Sequence, residues 1–275
     1  MHDAAFIMSV YAGDRPDWLG EALESMFGQT VPQENIHVYI CADGPLTPEL
    51  DSCLEQFGGR IHRLVRNSEN RGLAFALNRL IDSLEDEAFI FRMDSDDICL
   101  PNRVALQIGF MEQHPKIMVC GGSIQEFRNH PESRGLLRTY PADTAAMRRY
   151  IVKANPFAHS TVCFRREFFS RIGKYNEHLA LRQDIELWFR AVEQHIPMTN
   201  LREPVLLFRV SDELVRRRNL SVGLVEFRIF MKGIYRLCGV HPAMIWPFLR
   251  LAVRILPSWM TALIYRRNVR KVLNS

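Results

Sequence analysis

The sequence FIFRMDSDD, residues 89–97, decides the fold, because it joins an apolar run to three carboxylates within four residues. Residues 89–93 predict a buried strand, and Asp94, Asp96 and Asp97 follow at its carboxyl end. Like charges this close repel and raise one another's pKa unless a cation lies among them. The stretch therefore predicts a site for a hard divalent metal and a phosphate beyond the end of a strand in an open α/β sheet.

Helix capping is the alternative for this stretch. Asp97 precedes residues 100–102 and could cap the helix predicted after them, and carboxylates near a helix N-terminus are favourable in any case. Capping requires one aspartate rather than three, so the metal site is the preferred interpretation.

Apolar runs alternate with helical periodicity on both sides of this stretch. The alternation is the βαβ pattern of a parallel sheet with crossover helices. The second strand also ends in a carboxylate, Asp43. The predicted strands are 4–11, 36–42, 61–66, 89–93, 117–122, 161–164 and 205–210, the predicted helices are 18–27, 50–57, 70–84, 103–113, 143–153 and 181–192, and residues 128–142 are predicted to be a loop.

Length and composition allow one large α/β domain with an appendage. The chain has 275 residues, of which 47% are hydrophobic, which suffices for a substantial core. Its six cysteines are scattered without a C-x-x-C pair, which predicts a reducing compartment and no zinc site. The chain enters a predicted strand without a charged segment followed by an apolar one, which argues against secretion.

Charge is distributed unevenly along the chain. Residues 1–201 carry 21 Lys and Arg against 27 Asp and Glu, a net charge of −6, whereas residues 202–275 carry 14 against 4, a net charge of +10. A basic C-terminal part could meet nucleic acid, anionic lipid or a phosphorylated substrate.

Residues 244–265 are apolar over a length that could cross a membrane, but they contain Arg250 and Arg254. Charges in the middle of a spanning helix are costly. The two arginines are four residues apart and so share one helical face, which favours helices that lie in the interface of an anionic membrane. Packing against the chain's own core or against a dimer partner is the alternative.

Arginines mark two further candidate positions. Arg71 opens the helix predicted at 70–84 and could meet a phosphate or a base edge there, unless Asn70 is a simple cap and Arg71 is solvated. Arg209 and residues 216–218 cluster after the last predicted strand, which suits a pyrophosphate, although a solvated basic loop fits equally well.

A histidine and an aspartate complete the candidates. His159 lies between Asn155 and Ser160 in sequence, which indicates a polar pocket lip on the acceptor or phosphate side, although a lone histidine is more often structural. Asp184 is near the first turn of the last predicted helix, either as an N-cap or as a general base directed into the cleft. Glu186 is two residues from Asp184 and therefore cannot lie on the same face of that helix.

Five segments, in this order, carry a family resemblance: SVYAGDRPDWLGEALESMFGQT, CADG, RNSENRGLAFALN, FRMDSDD and RQDIELWFR. On these segments residues 4–210 resemble the family 2 inverting glycosyltransferases. The likeness extends to bacterial surface-polysaccharide members through the RRR loop and the amphipathic, Arg-rich tail. The resemblance implies a mostly parallel, Rossmann-like α/β sheet flanked by helices, the nucleotide-diphospho-sugar transferase fold. That catalytic domain would span residues 1–210, and a helical, basic, amphipathic region would span 211–275.

The resemblance also implies roles for individual residues, with Mg²⁺ or Mn²⁺ as the cofactor and a nucleoside-diphosphate sugar as the donor. Gln183 replaces the glutamate that is usual before the catalytic base, which leaves the base itself in place. The implied roles are the nucleoside pocket for Ser9, Tyr11 and Asp14, the base for Asp43, the base or ribose edge for Arg71, the ribose end of the D-x-D pattern for Asp94 and Ser95, the metal for Asp96, the donor sugar for Asp97 and the catalytic base for Asp184. Of the candidates taken from the residues alone, Arg217 would neutralise the departing diphosphate, and His159 would lie on the acceptor or phosphate side.

The implied activity is transfer of one sugar to a saccharide acceptor in O-antigen or capsule synthesis, because the Q-x-x-R-W signature of processive members is absent after Trp188. The basic tail motivates a lipid-diphosphate-linked acceptor and a peripheral position on the cytoplasmic face of the membrane. No nucleic-acid partner is expected, because the arginines of the tail alternate with apolar runs rather than with exposed stacking aromatics. A sugar nucleotidyltransferase would need a Gly-rich, basic loop in place of residues 11–14, and a non-catalytic binding module could dispense with Asp184.

Overall fold

The computed structural model describes residues 3–210 and 220–255, the last three of them by their backbone alone. The described residues form one nine-stranded sheet with helices on both faces. The strands are β1 Ala4–Val10, β2 Ile36–Ala42, β3 Arg63–Arg66, β4 Phe89–Met93, β5 Ile98–Cys99, β6 Val119–Phe127, β7 Arg134–Arg138, β8 Cys163–Arg165 and β9 Met198–Arg209. The helices are α1 Pro16–Phe27, α2 Pro48–Gln56, α3 Leu73–Ser83, α4 Arg103–Gln113, α5 Thr144–Tyr150, α6 Glu167–Ile172, α7 Gln183–Glu193, α8 Leu220–Cys238 and α9 Ile245–Ile255.

The sheet is mostly parallel, as predicted. Its strand order is β3-β2-β1-β4-β8-β6-β9-β5, with β7 paired to β6. Strands β3, β2, β1 and β4 run parallel. Strand β8 is antiparallel to both β4 and β6, so β6 and its parallel partner β9 run in the direction of β4 again. The carboxyl ends of β1, β2 and β4 therefore lie side by side.

The sheet has one hydrophobic core on each face, and strand β1 contributes to both. Phe6 and Met8 belong to the core that includes α1, α2 and α4, whereas Ala5 and Ile7 belong to the core that includes α3 and α7. Successive side chains of a strand point to opposite faces, so a strand covered on both sides is a nearly continuous apolar run.

The loop predicted at 128–142 is wrong in part, because β7 lies within it and forms a hairpin with β6. Most of β7 is exposed, so its sequence has no buried alternation to reveal it. Strand β9 begins at Met198 rather than at 205, and it contains Pro204 where its register with β6 shifts at Ser123. A bulge accommodates a proline that a regular ladder would exclude. The short elements β5 and α6 were not predicted, since neither is long enough to show a period.

The C-terminal helices pack on α7 and on each other. Helix α8 lies against α7, where the ring of Phe189 occupies the space that a side chain at Gly233 would need. Helix α9 packs along α8, where the rings of Phe248 and Phe227 meet edge to face with their centroids 4.9 Å apart. None of the helices in residues 3–210 and 220–255 combines the length and apolar character needed to cross a bilayer.

Arg250 takes part in the packing of α9 on α8. Its Nη1 donates to Glu226 Oε1 at 3.1 Å, and its guanidinium lies 4.9 Å from the ring centroid of Phe230. One side of α9 therefore packs against the chain's own helix α8, and a membrane-interfacial position stays a prediction. The side chain of Arg254 and residues 256–275 lie outside the described residues, as do residues 211–219.

Candidate active site at the carboxyl edge of the sheet

The ends of three neighbouring strands bring the predicted site residues to one edge. Met8 is in register with Met93 of β4, and Val10 is in register with Ala42 of β2. The segments that follow these strands carry Asp14, Asp43 and the acidic run at 94–97. Crevices outside the carboxyl ends of strands are where open α/β sheets bind ligands.

The three carboxylates of the acidic run converge. Asp94, Asp96 and Asp97 each place one oxygen within 4.8 Å of the other two. Asp97 is buried, and its Oδ1 accepts the N–H of Arg209 at 3.0 Å while its Oδ2 has no hydrogen-bond partner. Helix α4 begins at Arg103 without a side-chain cap, so Asp97 does not cap it.

Mutual repulsion is built into this acid cluster, which consists of Asp94, Asp96 and Asp97. Burial raises the pKa of Asp96 to about 6, and the charge of Asp94 contributes to the rise. Burial raises the pKa of Asp97 well above its usual range, and the charges of Asp96 and Asp94 add to it. Hard oxygen donors, like charges and a buried carboxylate oxygen without a partner together fit a divalent cation.

The loop after β1 joins this cluster. Asp14 Oδ2 accepts the N–H of Tyr11 at 3.0 Å, and the Asp14 carboxylate is also hydrogen-bonded by Ser95. Burial raises the pKa of Asp14 to about 6, and the nearby charge of Asp94 acts in the same direction. Ser9 is partly buried near the end of β1, and Tyr11, in the segment that leads to Asp14, is 40% exposed.

Asp43 holds the start of helix α3. Its Oδ1 accepts the side-chain amide of Asn67 at 2.7 Å and the N–H of Arg71 at 3.0 Å, and its Oδ2 accepts the N–H of Gly72 at 2.8 Å. Gly72 has a φ of 87°, a conformation that favours glycine, and α3 begins at Leu73 rather than at residue 70. The carboxylate therefore fixes the position of this helix N-terminus at the edge of the cleft.

Arg71 is exposed at that N-terminus, and its guanidinium lies 3.5 Å from the ring centroid of Phe75. Asn70 Oδ1 is 3.2 Å from the N–H of Gly72, so Asn70 contributes to capping as the alternative interpretation proposed. The stacked guanidinium presents a planar, cationic surface beside Asp43.

Arg92 is the site residue that the sequence reasoning missed. It is buried in the apolar strand β4, its Nη1 forms an ion pair with Asp94, and its Nε has no hydrogen-bond partner. Its charge acts on His159, Tyr175 and Asp184. A charged residue inside a buried strand, two positions before a carboxylate, was the signal that could have identified it.

The surroundings of His159 favour its neutral form. Burial lowers its pKa well below the usual range, and the charge of Arg92 adds to the effect. Its Nε2 lies 2.8 Å from the hydroxyl of Tyr175. The neighbouring Ser160 lies close enough to Asp97 to lower its pKa, so the segment around His159 borders the acid cluster, and a role of His159 on the acceptor or phosphate side stays a prediction. Tyr175 had no local motif and could not be found from sequence.

Asp184 lies in the first turn of helix α7. It is the second residue of the helix, and its Oδ2 accepts the side-chain amide of Asn155 at 2.6 Å. The N-cap is Arg182, with φ 64°, so Asp184 is not the cap. Burial raises the pKa of Asp184, whereas Arg182 and Asn155 lower it. The charges of Asp184 and Asp94 both raise the pKa of the buried Tyr175 phenol, so both carboxylates lie near it.

Arg209 organises the acidic loop instead of remaining available for a diphosphate. It is buried, its Nε donates to the carbonyl of Asp96 at 2.8 Å, and its Nη2 pairs with Glu21. Its guanidinium lies 4.8 Å from the ring centroid of Trp18 and 4.4 Å from that of Phe127. Arg217, predicted for the diphosphate side, lies outside the described residues.

A family model adds the decisive observation: the model for glycosyl transferase family 2 matches residues 5–173, which include β1, β2, β4 and the acid cluster. The chain belongs to glycosyl transferase family 2. It is therefore a glycosyltransferase, as the sequence motifs predicted.

Several relatives are similar over almost their whole length. An uncharacterized glycosyltransferase of Haemophilus influenzae is 33% identical over 270 residues, covering 96% of this chain and 98% of the relative. The amylovoran biosynthesis glycosyltransferase AmsE of Erwinia amylovora is 28% identical, with coverages of 95% and 97%. An Escherichia coli protein described as a UDP-Gal:alpha-D-GlcNAc-diphosphoundecaprenol beta-1,3-galactosyltransferase is 27% identical, with coverages of 97% and 96%.

Solved structures confirm the predicted fold. Staphylococcus aureus TarS 1-349 in complex with UDP-GlcNAc superposes with a TM-score of 0.66 at 16% identity, covering 91% of this chain and 70% of TarS 1-349. The mannosyltransferase PcManGT of Pyrobaculum calidifontis, in complex with GDP-Man and Mn²⁺, gives a TM-score of 0.60 at 15% identity, with coverages of 99% and 83%. The architecture is thus that of nucleotide-diphospho-sugar transferases.

Proposed function

We propose that this glycosyltransferase moves one sugar, with inversion, from a nucleoside-diphosphate donor to a hydroxyl of a saccharide in surface-polysaccharide biosynthesis. The observation that supports the proposal is that Asp184 and Asp94, a member of the acid cluster, both lie close enough to the Tyr175 phenol for their charges to raise its pKa. A base and a leaving-group site on either side of a reacting carbon are what a single displacement requires. The similar AmsE supports the biosynthetic context by its name.

The donor would lie along the carboxyl edge of the sheet. The nucleoside would contact Ser9, Tyr11, Asp14 and Asp43, beside the stacked guanidinium of Arg71. The acid cluster would hold Mg²⁺ or Mn²⁺, chiefly through Asp96, and the ion would supply positive charge for the departing diphosphate. Asp97 would then face the donor sugar with its unpartnered oxygen.

Asp184 would act as the general base. In the displacement, the acceptor oxygen forms a bond to the anomeric carbon while the bond from that carbon to the phosphate oxygen breaks, and the bonding electrons leave with the nucleoside diphosphate. The proton of the acceptor hydroxyl passes to an Asp184 carboxylate oxygen. The amide of Asn155, 2.6 Å from Oδ2, orients this carboxylate and favours its ionised form. Attack on the face opposite the leaving group inverts the anomeric configuration.

The acceptor would be a saccharide linked to a lipid diphosphate, and the enzyme would bind the cytoplasmic face of the membrane. The similar Escherichia coli protein has a diphosphoundecaprenol acceptor in its name. The outer surface of α8 and α9 has the composition of an interfacial helix, with apolar and basic residues both exposed. The exposed apolar residues include Leu220, Leu224, Ile245, Phe248 and Leu249, and the exposed basic residues are Arg228, Lys232 and Arg236.

A transfer assay tests the proposal. Purified full-length protein is incubated with Mn²⁺, a synthetic lipid-diphosphate-linked sugar and, in turn, UDP-, GDP- and dTDP-sugars. We expect one donor to yield a product extended by one sugar, with an anomeric configuration opposite to that of the donor by NMR. Retention of configuration would contradict the mechanism. Release of pyrophosphate from a nucleoside triphosphate and a sugar phosphate would instead identify a nucleotidyltransferase.

A further inference from the structure

A second group of potential metal ligands lies at the opposite edge of the sheet, where the strands begin. His37 is the second residue of β2, His62 immediately precedes β3, and Glu85 and Glu87 precede β4. We call these four residues the histidine cluster. Because β1, β2 and β4 run from this edge toward the acid cluster, the two groups lie at opposite ends of the same parallel strands.

The ligand atoms of the histidine cluster are already close together. His37, His62 and Glu87 each offer one atom within 4.8 Å of the others. His37 Nδ1 is 2.8 Å from Glu87 Oε1, and His62 Nε2 is 3.3 Å from Glu85 Oε1. In a tetrahedral zinc site, metal–ligand bonds of about 2.0–2.2 Å separate neighbouring ligand atoms by about 3.3–3.6 Å. Only small movements therefore separate this group from a coordination shell.

The carboxylate of Glu87, the central residue of the cluster, is held in place by neighbouring protein groups. Glu87 is fully buried, and it accepts hydrogen bonds from the hydroxyl of Tyr39 and, at 2.9 Å, from the N–H of Glu85. Arg166 Nη1 lies 3.8 Å from its Oε2. These contacts keep Glu87 oriented toward His37 and balance part of its charge, as outer-shell partners of metal ligands do.

The two imidazoles need one rotation to share an ion. Their centroids are 4.4 Å apart and their planes differ by 13°, so two nearly parallel rings cannot both direct a lone pair at one point between them. His62 is exposed and is free to turn about its side-chain torsions. Glu85 is also exposed; it currently pairs with Arg63 at 2.8 Å and can exchange that partner for an ion.

We propose that the histidine cluster binds Zn²⁺ through His37, His62 and Glu87, with Glu85 or water as the fourth ligand. Two imidazole nitrogens with a carboxylate select zinc over magnesium or manganese, which prefer oxygen ligands. The scattered cysteines predicted no zinc site, and this one uses no cysteine. Its ion would join β2, β3 and the segment before β4, and so would stabilise the fold at the edge away from the proposed chemistry.

The test measures zinc binding apart from the acid cluster and from thiols. The full-length protein, prepared without a polyhistidine tag, carries Asp96→Asn and also Cys238→Ser, because Cys238 is exposed. Equilibrium dialysis counts bound Zn²⁺, and the absorption spectrum of a Co²⁺-substituted sample reports the ligand geometry. We expect one Zn²⁺ per chain and a tetrahedral Co²⁺ spectrum.

Variants of the cluster supply the decisive comparison. Loss of outer-shell partners alone lowers metal affinity about 10- to 100-fold, so His37→Ala and His62→Gln should each weaken Zn²⁺ binding at least about a hundredfold. His114→Ala, at an exposed histidine at the end of α4, should bind zinc unchanged. His62→Gln is the safer variant for folding because the side chain is exposed, and circular dichroism of the metal-free proteins checks this. Zinc binding that survives both cluster variants, or is absent from the parent protein, overturns the proposal.

Discussion

At the scale of single residues, the Asp184 carboxyl has a pKa raised by burial, accepts a hydrogen bond from Asn155, and lies near the Tyr175 phenol on which the charge of Asp94 also acts. Positioned proton transfer contributes about 10²- to 10⁴-fold in rate. Asp184→Asn should therefore lower kcat at least about a hundredfold while donor binding stays close to that of the wild type. Steady-state kinetics and calorimetric titration of the donor measure the two effects separately.

Glu186→Gln is the matched control for that variant. Glu186 lies on the same helix but pairs with Arg190, Nε to Oε1 at 3.0 Å. An i,i+4 pair of this kind is worth about 0.3–0.5 kcal/mol, so activity should persist. Wild-type turnover in Asp184→Asn, or an equal loss in both variants, would reject Asp184 as the base.

The pH dependence follows from the same residue. Only ionised Asp184 accepts a proton, and burial raises its pKa, so kcat should fall with decreasing pH at values above the ordinary aspartate pKa of about 3.9. Asn155→Ala removes a hydrogen bond to the ionised form, which raises the pKa further. The acidic limb of the kcat profile should then move to higher pH. An unmoved limb, or one shifted to lower pH, contradicts this account of Asn155.

Sequence reasoning found the residues that follow strand ends but not those that reach the cleft from elsewhere. Asp94, Asp96 and Asp97 could be identified from the sequence because three carboxylates within four residues repel one another unless a cation binds among them. Arg92 had a local signal that was overlooked, whereas Tyr175 becomes a site residue only when the segment before α7 meets His159 in the folded chain. Contacts over such separations have no signature in a single sequence.

At the scale of elements, the predicted strands and helices near the centre of the sheet were placed to within a few residues, because burial on both faces makes their apolar runs continuous. The exposed strand β7 and the first half of β9 were missed because neither has that pattern. Pro204, which argues against a strand interior, lies where the β6–β9 register shifts.

The close packing of α8 on α7 requires a glycine, Gly233, at the point of contact. A methyl group at Gly233 would overlap the ring of Phe189, which is buried, whereas a methyl group at Gly109 in α4 would meet nothing within 4 Å. Gly233→Ala should lower the free energy of unfolding by about 1–3 kcal/mol through overpacking. Gly109→Ala should raise it by about 0.5–1 kcal/mol through helix propensity.

Chemical denaturation of both variants, with the midpoint and slope compared with those of the wild type, checks this pair. If Gly233→Ala were as stable as Gly109→Ala, the close packing of α8 on α7 would be wrong.

At the scale of the whole molecule, charge and exposed apolar surface are concentrated at the C-terminal end. Residues 202–275 carry a net charge of +10, and α9 exposes Ile245, Phe248 and Leu249. Full-length protein should bind vesicles that contain anionic lipid, and binding should weaken as salt screens the attraction. Vesicle co-sedimentation at low and high ionic strength measures the effect.

Two variants locate that contact. Ile245→Asp with Leu249→Asp should reduce partition at least about tenfold, since each buried aliphatic side chain contributes about 1.5–3 kcal/mol. Leu136→Asp, at an equally exposed leucine of β7, should leave partition unchanged. If the Ile245→Asp, Leu249→Asp variant and Leu136→Asp partitioned equally, α9 would not contribute to membrane binding.

The central claim is that the acid cluster at the carboxyl edge holds a divalent ion together with a nucleoside diphosphate. Its most direct test is calorimetric titration of UDP, GDP and dTDP into the wild type, Asp96→Asn and the exposed control Glu34→Gln, each with and without Mn²⁺. The account predicts that at least one nucleotide binds the wild type and Glu34→Gln only when Mn²⁺ is present, and binds Asp96→Asn at least about tenfold more weakly. Equal binding to all three proteins, with or without the ion, would contradict it.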